Sequence, residues 1–461
     1  MIAIPSSPRK KGAGFKYSPV TLARHPLSGP LAYVCAVGLP LLASCGGSEQ
    51  TPVGVGGALA TTASAVPVTA AARSGPPDIV VILADDMGWG DLGAYGNTLT
   101  KTPSVDRLAA EGARFEAMYV PSPVCAPSRA ALLTGRYAAR NGVTWNNGTT
   151  MHRSEITIAQ LLKDRGYATG LVGKWHLGAT PVDLPLRRGF EFFYGMLSSP
   201  PHTDFVSGEA VTRDFPGMDL VTKRLTAEAA SFIRKVPADK PLFLHIAHHT
   251  PHAPNISAPE FTGRAALGAY GDSMEEFDWS VGEVLKTLKE TGRDGNAMVV
   301  LASDNGPVAA GSPGPFTYGK GNVNEGGIRV PAIVWQPGRI PAGRVIKDPA
   351  STTDFFPTFA AMAGAPMPAK DYDGVDISRL LSGEVDRIPG HGLGGGRELF
   401  FFVSSEVAAL RSGKWKYVKP GYRDSIPVLY DLEADPAETN NLRRHEINTL
   451  NALEKRVAQF R

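Results

Sequence analysis

Short apolar runs that alternate with amphipathic segments constrain the fold of this chain more than any other sequence feature. Runs with the length and β-branched content of buried strands lie at residues 79–84, 168–172, 242–247, 298–302 and 332–335. Segments with the apolar spacing of packed helices lie at residues 156–165, 274–290 and 354–363. This alternation predicts an α/β fold in which a large, mostly parallel sheet is sandwiched by helices.

Polar residues follow two of these runs at the sheet edge where sites in doubly wound folds gather. Asp85 and Asp86 come directly after the first run, and Asp304 and Asn305 come just after run 298–302. Each pair alone reads equally well as a turn or a helix cap. Together, three carboxylates and an amide at one edge are hard oxygen donors, which favour Ca²⁺ or Mg²⁺ over Zn²⁺.

A second informative motif begins at Cys125. Residues 125–129 read Cys-Ala-Pro-Ser-Arg, and a small, apolar stretch leads to Leu-Thr-Gly-Arg at residues 133–136. Pro127 suits the first turn of a helix, so Cys125 is expected beside the positive helix end, where an anionic ester is favoured. An inert cysteine in a helix-capping loop is the alternative interpretation. The motif resembles the C-x-P-S-R and L-T-G-R signature of the type I, arylsulfatase-like sulfatases, in which the cysteine is oxidised to formylglycine.

That resemblance extends from about residue 78 to the end of the chain, where residues 435–438 read Asp-Pro-Ala-Glu and follow the family's closing pattern. It implies a catalytic domain of the alkaline phosphatase superfamily at residues 78–385. A small C-terminal subdomain is predicted at residues 386–461. Its expected elements are antiparallel strands at 399–403 and 414–418 and a helix at 445–460.

The resemblance also implies a divalent cation, with Ca²⁺ as the first choice and Mg²⁺ as the alternative. Its predicted ligands are oxygens of Asp85, Asp86, Asp304, Asn305 and of the formylglycine derived from Cys125. A cation beside the ester oxygens would offset their negative charge and draw electron density from sulfur.

Three cations and one serine complete the predicted contacts to the ester. The resemblance implies that Arg129 holds the formylglycine hydroxyls, that Lys174 binds the sulfate ester and that Lys320 contacts its bridging oxygen. Ser199 is predicted to add a hydrogen bond to sulfate, with Ser198 and His202 as alternatives for that place. Taken alone, Lys174 reads as part of an edge strand and Lys320 as a surface lysine in a glycine-rich turn.

Two histidines carry the proton transfers that the resemblance implies. The hydrated aldehyde would attack sulfur, and His252 would bind the ester and assist the leaving oxygen. His176 would then act as general base, so that sulfate is expelled without attack of water on sulfur.

The N-terminal segment is predicted to export and anchor the protein. Residues 1–44 carry five basic residues and no acid, and their apolar run ends in Leu-Ala-Ser before Cys45, which resembles a lipoprotein signal. The apolar run is shorter than the roughly 20 residues that span a bilayer. Cys45 is the predicted lipidation site, and the Gly46 that follows implies a periplasm-facing anchor in the outer membrane. Residues 45–77, rich in Gly, Ala, Ser, Thr and Pro, are predicted to form a flexible tether.

Charge argues against nucleic acid as a partner. Removal of residues 1–44 lowers the formal net charge from +3 to −2, because that segment holds five basic residues and no acid. A mature chain of that net charge is not expected to bind nucleic acid, whose phosphate backbone attracts positively charged proteins.

The motifs together predict a sulfuric ester hydrolase acting on sulfated glycans and also on aryl sulfates. A formylglycine-generating or sulfatase-maturating enzyme and a membrane lipid anchor are its other expected partners. A phosphonate or phosphate ester hydrolase remains an alternative, although such relatives tend to carry histidine where this chain has Asn305. A cysteine and histidine hydrolase would leave the oxygen ligands unexplained. A surface lipoprotein that binds sulfated glycans without cleaving them is also open.

Overall fold

The computed structural model describes residues 75–198, 205–208, 210–212 and 217–460. The predicted lipoprotein signal, Cys45, nearly all of the predicted tether and Ser199 lie outside the described residues. In the described ranges, no helix combines the length and the apolar character needed to cross a membrane.

The described part of the chain contains fifteen strands and ten α-helices. The strands are β1 (Asp78–Ala84), β2 (Ala113–Tyr119), β3 (Ala168–Lys174), β4 (Phe192–Met196), β5 (Phe205–Ser207), β6 (Ala210–Thr212), β7 (Leu242–Ala247), β8 (Ala297–Ser303), β9 (Arg329–Trp335), β10 (Arg344–Ile346), β11 (Ala350–Ser351), β12 (Glu398–Val403), β13 (Glu406–Ser412), β14 (Trp415–Val418) and β15 (Val428–Asp431). The helices are α1 (Pro103–Glu111), α2 (Cys125–Thr134), α3 (Ala138–Asn141), α4 (Ile158–Asp164), α5 (Val221–Lys235), α6 (Gly268–Glu290), α7 (Glu325–Ile328), α8 (Phe355–Met362), α9 (Ser378–Ser382) and α10 (Ile447–Ala458).

One large sheet forms the centre of the molecule, with the strand order β10-β2-β9-β8-β1-β7-β3-β4-β5-β6 and with β11 paired to β2. Its middle is parallel, because β8, β1, β7, β3 and β4 run in the same direction. β9 runs antiparallel to both neighbours, and β5 and β6 form an antiparallel edge. β1, β7 and β8 are buried along their whole length, as expected for strands covered on both faces.

The predicted fold class is confirmed by this architecture. Run 242–247 forms β7 with the predicted bounds. Run 332–335 belongs to a strand that begins at Arg329 and runs antiparallel, which a mostly parallel sheet permits. The helix predicted at 274–290 begins at Gly268 instead. Its first turns are rich in Gly, Ala and Ser and carry no apolar stripe, so periodicity did not reveal them.

A separate antiparallel sheet, β12-β13-β14-β15, lies in the C-terminal part of the chain. Helix α10 packs on it through the buried Leu450 and Leu453. The Phe401 ring in β12 lies 5.4 Å from the Tyr119 ring in β2. The backbone N–H of Phe402 donates to the carbonyl oxygen of Pro121 at 2.8 Å. The small sheet therefore contacts the segment that leads into α2, while the proposed domain boundary at residue 386 stays a prediction.

Candidate active site

The ends of two central strands bring the predicted oxygen ligands together. β1 and β8 are parallel neighbours, so Asp85 and Asp86 leave the sheet beside Asp304 and Asn305. The backbone N–H of Asp304 donates to the carbonyl oxygen of Ala84 at 3.1 Å. The N–H of Asp86 donates to Oδ1 of Asp304 at 3.2 Å. The four residues are buried at the carboxyl edge of the sheet, where sites in this class of fold form.

Cys125 joins this group at the start of α2. It is the first residue of the helix, and Pro127 lies in the first turn, as the motif predicted. Cys125 Sγ lies 3.4 Å from Asp85 Oδ1. One ligand atom from each of Asp85, Asp86, Cys125 and Asp304 lies within 4.8 Å of the others. The helix end and the strand ends thus form one compact cluster.

The environment of the Cys125 thiol does not favour a thiolate. Burial raises its pKa well above the usual value, and the charges of Asp304 and Asp85 raise it further. Reactive cysteines require the opposite, a depressed pKa and access to solvent. The unmodified side chain is therefore a poor nucleophile, which weighs against a cysteine and histidine hydrolase.

Arg129 and Lys174 contact two of the clustered carboxylates. Lys174, the last residue of β3, places Nζ 2.6 Å from Asp85 Oδ2. Arg129, one turn into α2, places Nε 2.8 Å and Nη2 2.7 Å from Asp304 Oδ2, and Nη2 also lies 3.5 Å from Asp85 Oδ1. Arg129 Nη1 donates to the backbone carbonyl of Lys174 at 3.2 Å. Arg129 and Lys174 are therefore held in place by their contact with each other and by the two carboxylates.

These charges push the pKa values of the two carboxyls apart. Burial alone would raise the pKa of Asp85, yet Lys174 and Arg129 hold it well below its usual range. Burial, followed by the charge of Asp85, raises the pKa of Asp304 to about 6. The raised pKa of Asp304 indicates that nearby positive charge does not fully compensate its carboxylate, so additional positive charge would be stabilised there.

Lys320 and His252 lie on the other side of the cluster, at Asp86. Lys320 Nζ lies 2.6 Å from Asp86 Oδ1 and 2.8 Å from Asp86 Oδ2. His252 Nε2 lies 3.7 Å from Asp86 Oδ2, and its Nδ1 lies 2.7 Å from the carbonyl oxygen of Ala253. Because a carbonyl only accepts, Nδ1 carries the proton in that contact. Both side chains are partly exposed, so they line the open side of the site.

His176 follows Lys174 by two residues and has a left-handed backbone with φ of 58°. Burial lowers its pKa to about 3, with further lowering by Lys174 and Arg129. The imidazole is therefore neutral at neutral pH. Its buried Nδ1 has no hydrogen-bond partner within the described ranges.

The Asn305 side chain tests whether this cluster fits a divalent cation. Its Nδ2 donates to Asp86 Oδ1 at 2.7 Å and to the Gly306 carbonyl at 2.9 Å. Its Oδ1 is buried with no hydrogen-bond partner in the described part of the chain. An unsatisfied buried acceptor costs about 1–3 kcal/mol, which a cation would offset. An orphaned amide oxygen beside three carboxylates is a donor set that suits Ca²⁺ or Mg²⁺.

Sequence reasoning missed two features next to the cluster. Asn146 Oδ1 accepts the N–H of Ala126 at 3.0 Å, which satisfies a free donor at the start of α2. The second feature is a buried ionic group of Glu325, Lys416 and Glu438. An unpaired helix start could have pointed to a loop acceptor such as Asn146. No local pattern reveals the ionic group, because its members come from distant parts of the chain.

Comparisons with known proteins give the family. The sulfatase family profile matches residues 77–365, more than half of the chain, and the profile for the C-terminal region of N-sulphoglucosamine sulphohydrolase matches residues 316–461. N-acetylgalactosamine-6-sulfatase of Canis lupus familiaris is 37% identical over 392 residues, covering 77% of this chain and 73% of the relative. Human arylsulfatase A is 36% identical over 433 residues, covering 80% and 83%.

A solved sulfatase structure from a study of glycosaminoglycan metabolism by Bacteroides thetaiotaomicron superposes with a TM-score of 0.76 at 26% identity. The match covers 84% of this chain and 99% of that one. The doubly wound sheet, with its acidic edge and a helix starting there, defines a hydrolase of the alkaline phosphatase-like class. Within that class the chain belongs to the sulfatase family. The predicted sulfatase activity is thereby confirmed, whereas the roles of individual site residues stay predictions.

Proposed function

We propose that this protein hydrolyses sulfate monoesters of sugars, with formylglycine formed from Cys125 as the nucleophile and a Ca²⁺ ion beside it. The observation that carries the proposal is the position of Cys125 at the buried start of α2, within 4.8 Å of Asp85, Asp86 and Asp304. A thiol in that place is a poor nucleophile. A hydrated aldehyde carries hydroxyl nucleophiles that require no thiolate, and covalent catalysis then splits one hard step into two.

The fixed positive charges of the site would stabilise the sulfuryl group. Asp85, Asp86, Asp304 and Asn305 would hold the divalent cation, which supplies Lewis acidity when bound. Arg129, Lys174 and Lys320 add three cations around the same volume. Charges that are already in place in a buried site need no reorganisation as charge develops, which makes them effective in catalysis.

His252 and His176 suit opposite proton transfers. His252 holds a proton on Nδ1 against the Ala253 carbonyl, which leaves Nε2 facing Asp86 and the open side of the site. Protonated at Nε2, it would donate to the leaving oxygen, a contribution of roughly 10²- to 10⁴-fold. His176 has a buried Nδ1 with no hydrogen-bond partner in the described ranges, and we assign it the role of the base in the second step.

Sulfated sugars are favoured as substrates by the relatives and by the loop beside the nucleophile. One relative is named for an N-acetylgalactosamine 6-sulfate, and the solved structure comes from a study of glycosaminoglycan metabolism. In this chain Trp145 is 46% exposed next to Asn146, which binds the first turn of α2. Thr149 Oγ1 donates to the Trp145 carbonyl at 2.9 Å and closes this turn. An exposed indole held there offers an apolar face to a sugar ring.

Replacement of Trp145 by alanine is expected to raise KM for a sulfated disaccharide about tenfold and to leave kcat nearly unchanged. Contacts to the sugar persist in the ground state and the transition state alike, so their loss affects binding uniformly. Steady-state kinetics measures the change. Inhibition by inorganic sulfate is the control, because sulfate lacks the sugar, and its inhibition constant should not move. An unchanged KM for the disaccharide would remove Trp145 from the substrate site.

Parallel assays of an aryl sulfate and an aryl phosphonate monoester test the proposed reaction. The enzyme, purified from a host with sulfatase-maturation activity, is expected to show a kcat/KM at least about tenfold higher for the sulfate. Asn305 supports this expectation, because the phosphonate and phosphate hydrolases that resemble this chain tend to carry histidine in that place. A higher kcat/KM for the phosphonate would favour the phosphonate hydrolase alternative. No turnover of either ester by formylglycine-containing protein would favour a glycan-binding protein.

Export and maturation complete the proposal. The basic and apolar composition of residues 1–44 supports secretion, and Cys45 would carry the lipid that anchors the protein to the outer membrane, facing the periplasm. A formylglycine-generating or sulfatase-maturating enzyme would act on Cys125. Radiolabelled palmitate incorporation, lost on Cys45→Ala, would support the anchor.

A further inference from the structure

A fully buried ionic group joins the small C-terminal sheet to the large domain. Lys416, in β14, places Nζ 2.9 Å from Glu325 Oε1 and 2.8 Å from Glu438 Oε1. The side chains of Lys416 and Glu325 have no exposed surface, and Glu438 is equally enclosed. Burial alone would lower the pKa of Lys416, but the two carboxylates raise it above its usual value. We call Glu325, Lys416 and Glu438 the buried triad.

The buried triad forms hydrogen bonds with the first residues of the short helix α7. Glu438 Oε2 accepts the backbone N–H of Glu325 and the side-chain Nδ2 of Asn324, both at 2.8 Å. The second oxygen of Glu325 accepts from Tyr119 at 2.6 Å and lies 3.2 Å from Arg329 Nη1. The start of α7 is therefore held by Glu438, which follows β15, by Tyr119 of β2 and by Arg329 of β9.

The glycines of helix α7 bring its backbone into direct contact with the loops that carry Asn305 and Lys320. The N–H of Gly306, next to Asn305, donates to the Gly327 carbonyl at 2.9 Å, and a Cβ on Gly306 would lie 1.9 Å from the Gly326 carbonyl oxygen. A Cβ on Gly327 would lie 1.9 Å from the Asn322 carbonyl oxygen. The N–H of Gly326 donates to Thr317 at 3.0 Å. Any shift of α7 is thus transmitted directly to Asn305 and to the loop around Lys320.

Two physical features indicate that the buried triad positions neighbouring groups and contributes little to the stability of the fold. Buried ion pairs add little stability compared with apolar residues of similar volume, so three buried ions are weak evidence for a stabilising role. Glu438 also has a left-handed backbone with φ of 58°, which is unfavourable for a residue with a side chain of this size. Such strain persists where the surroundings over-determine the conformation, often near functional sites.

We propose that Glu438 and Lys416 are positioning residues that set the places of Lys320 and Asn305 in the active site. This inference rests on the proposed function and on the predicted contacts of Lys320 with the leaving oxygen and of Asn305 with the divalent cation. The C-terminal sheet then helps to position the residues of the active site. Loosening the triad should weaken leaving-group stabilisation and cation binding together.

Glu438→Gln tests the inference with a change of charge and almost none of shape. The amide oxygen still accepts from Glu325 and Asn324, but the attraction to Lys416 is lost. We expect kcat/KM for aryl sulfates with poor leaving groups to fall about tenfold, and less for good ones, so that its dependence on phenol pKa becomes steeper. The Kd for Ca²⁺, measured by calorimetry, should rise about tenfold. When Lys320 is already replaced by alanine, adding Glu438→Gln should not make the dependence of kcat/KM on phenol pKa any steeper.

Glu406→Gln is the matched control, because Glu406 pairs with Lys419 at 3.0 Å on the exposed surface of the same small sheet. It should change neither the leaving-group dependence nor the Ca²⁺ affinity. If Glu438→Gln does not fold, the shorter Glu438→Asp replaces it. Unchanged leaving-group dependence and unchanged Kd in a folded, active variant would overturn the inference.

Failure of the proposed function has a different signature, because it leaves the wild-type protein itself without sulfatase activity. Amide hydrogen exchange then decides the positioning role. Faster exchange in residues 306–328 of Glu438→Gln, and not of Glu406→Gln, would support it. Equal exchange in both variants and the wild type would overturn it.

Discussion

Cys125→Ala is expected to lower kcat/KM for an aryl sulfate by at least about 10⁴-fold, because removal of a covalent nucleophile eliminates the pathway that it opens. The fold should tolerate the change. Cys125 is the first residue of α2, and the substitution removes only one buried atom, for which a cost of about 1 kcal/mol is typical. The loss would therefore report on chemistry and not on unfolding.

Peptide mass spectrometry makes the test specific to the modification. The tryptic peptide of residues 115–129 from active protein should carry an aldehyde in place of the thiol, whereas the same peptide of Cys125→Ala should carry alanine alone. Ser122→Ala is the matched control, because it also removes one buried heteroatom close to the nucleophile. It should retain activity. Sulfatase activity in a preparation whose Cys125 is entirely thiol would disprove the proposed nucleophile.

Lys174→Ala is expected to slow turnover of an aryl sulfate by about 10²- to 10³-fold, the usual effect of removing one preorganised charge from a transition state. The same substitution should destabilise the cation-free protein by roughly 3 kcal/mol. The reason is that Asp85, fully buried, would lose the 2.6 Å ion pair with Lys174 and keep the longer one with Arg129 at 3.5 Å.

Saturating Ca²⁺ separates these two effects of Lys174→Ala. A divalent cation at Asp85 would supply the missing charge, so the variant's melting temperature should approach that of the wild type while its turnover stays low. Lys223→Ala, which breaks an exposed ion pair with Glu260, should change neither quantity. Near-native kcat/KM in folded Lys174→Ala would exclude the lysine from catalysis.

The sequence predicted the strand ends of the site well, for a physical reason. Buried parallel strands are continuous apolar runs, and their carboxyl ends share one edge, so the sequence predicts that polar residues such as Asp85 and Asp304 lie together. Lys174 and His176 were predicted from the resemblance instead, and they lie at the end of β3 and just after it. The clustering of the two aspartates is a property of local patterns combined with a simple topology.

The sequence pattern did not predict the buried triad. β14 reads Trp-Lys-Tyr-Val, and strand alternation would assign Lys416 to a solvated face. It is buried because carboxylates from α7 and from the turn after β15 meet it, and that meeting depends on tertiary packing alone. Asn146 escaped notice for the same reason, since its partner Ala126 lies in a different segment. Ser199 lies outside the described residues, so its predicted role stays a prediction.

The enclosure of Cys125 sets an order of events in biosynthesis. With 1% of its surface exposed at the root of a core helix, the side chain is out of reach for any modifying enzyme once the chain has folded. If Cys125 is the precursor of the proposed formylglycine, its conversion to the aldehyde would therefore have to happen on the newly made, still extended polypeptide, where residues 125–136 can be read as a linear stretch. Maturation and folding would then compete in time, and a chain that folded first would keep an unmodified thiol.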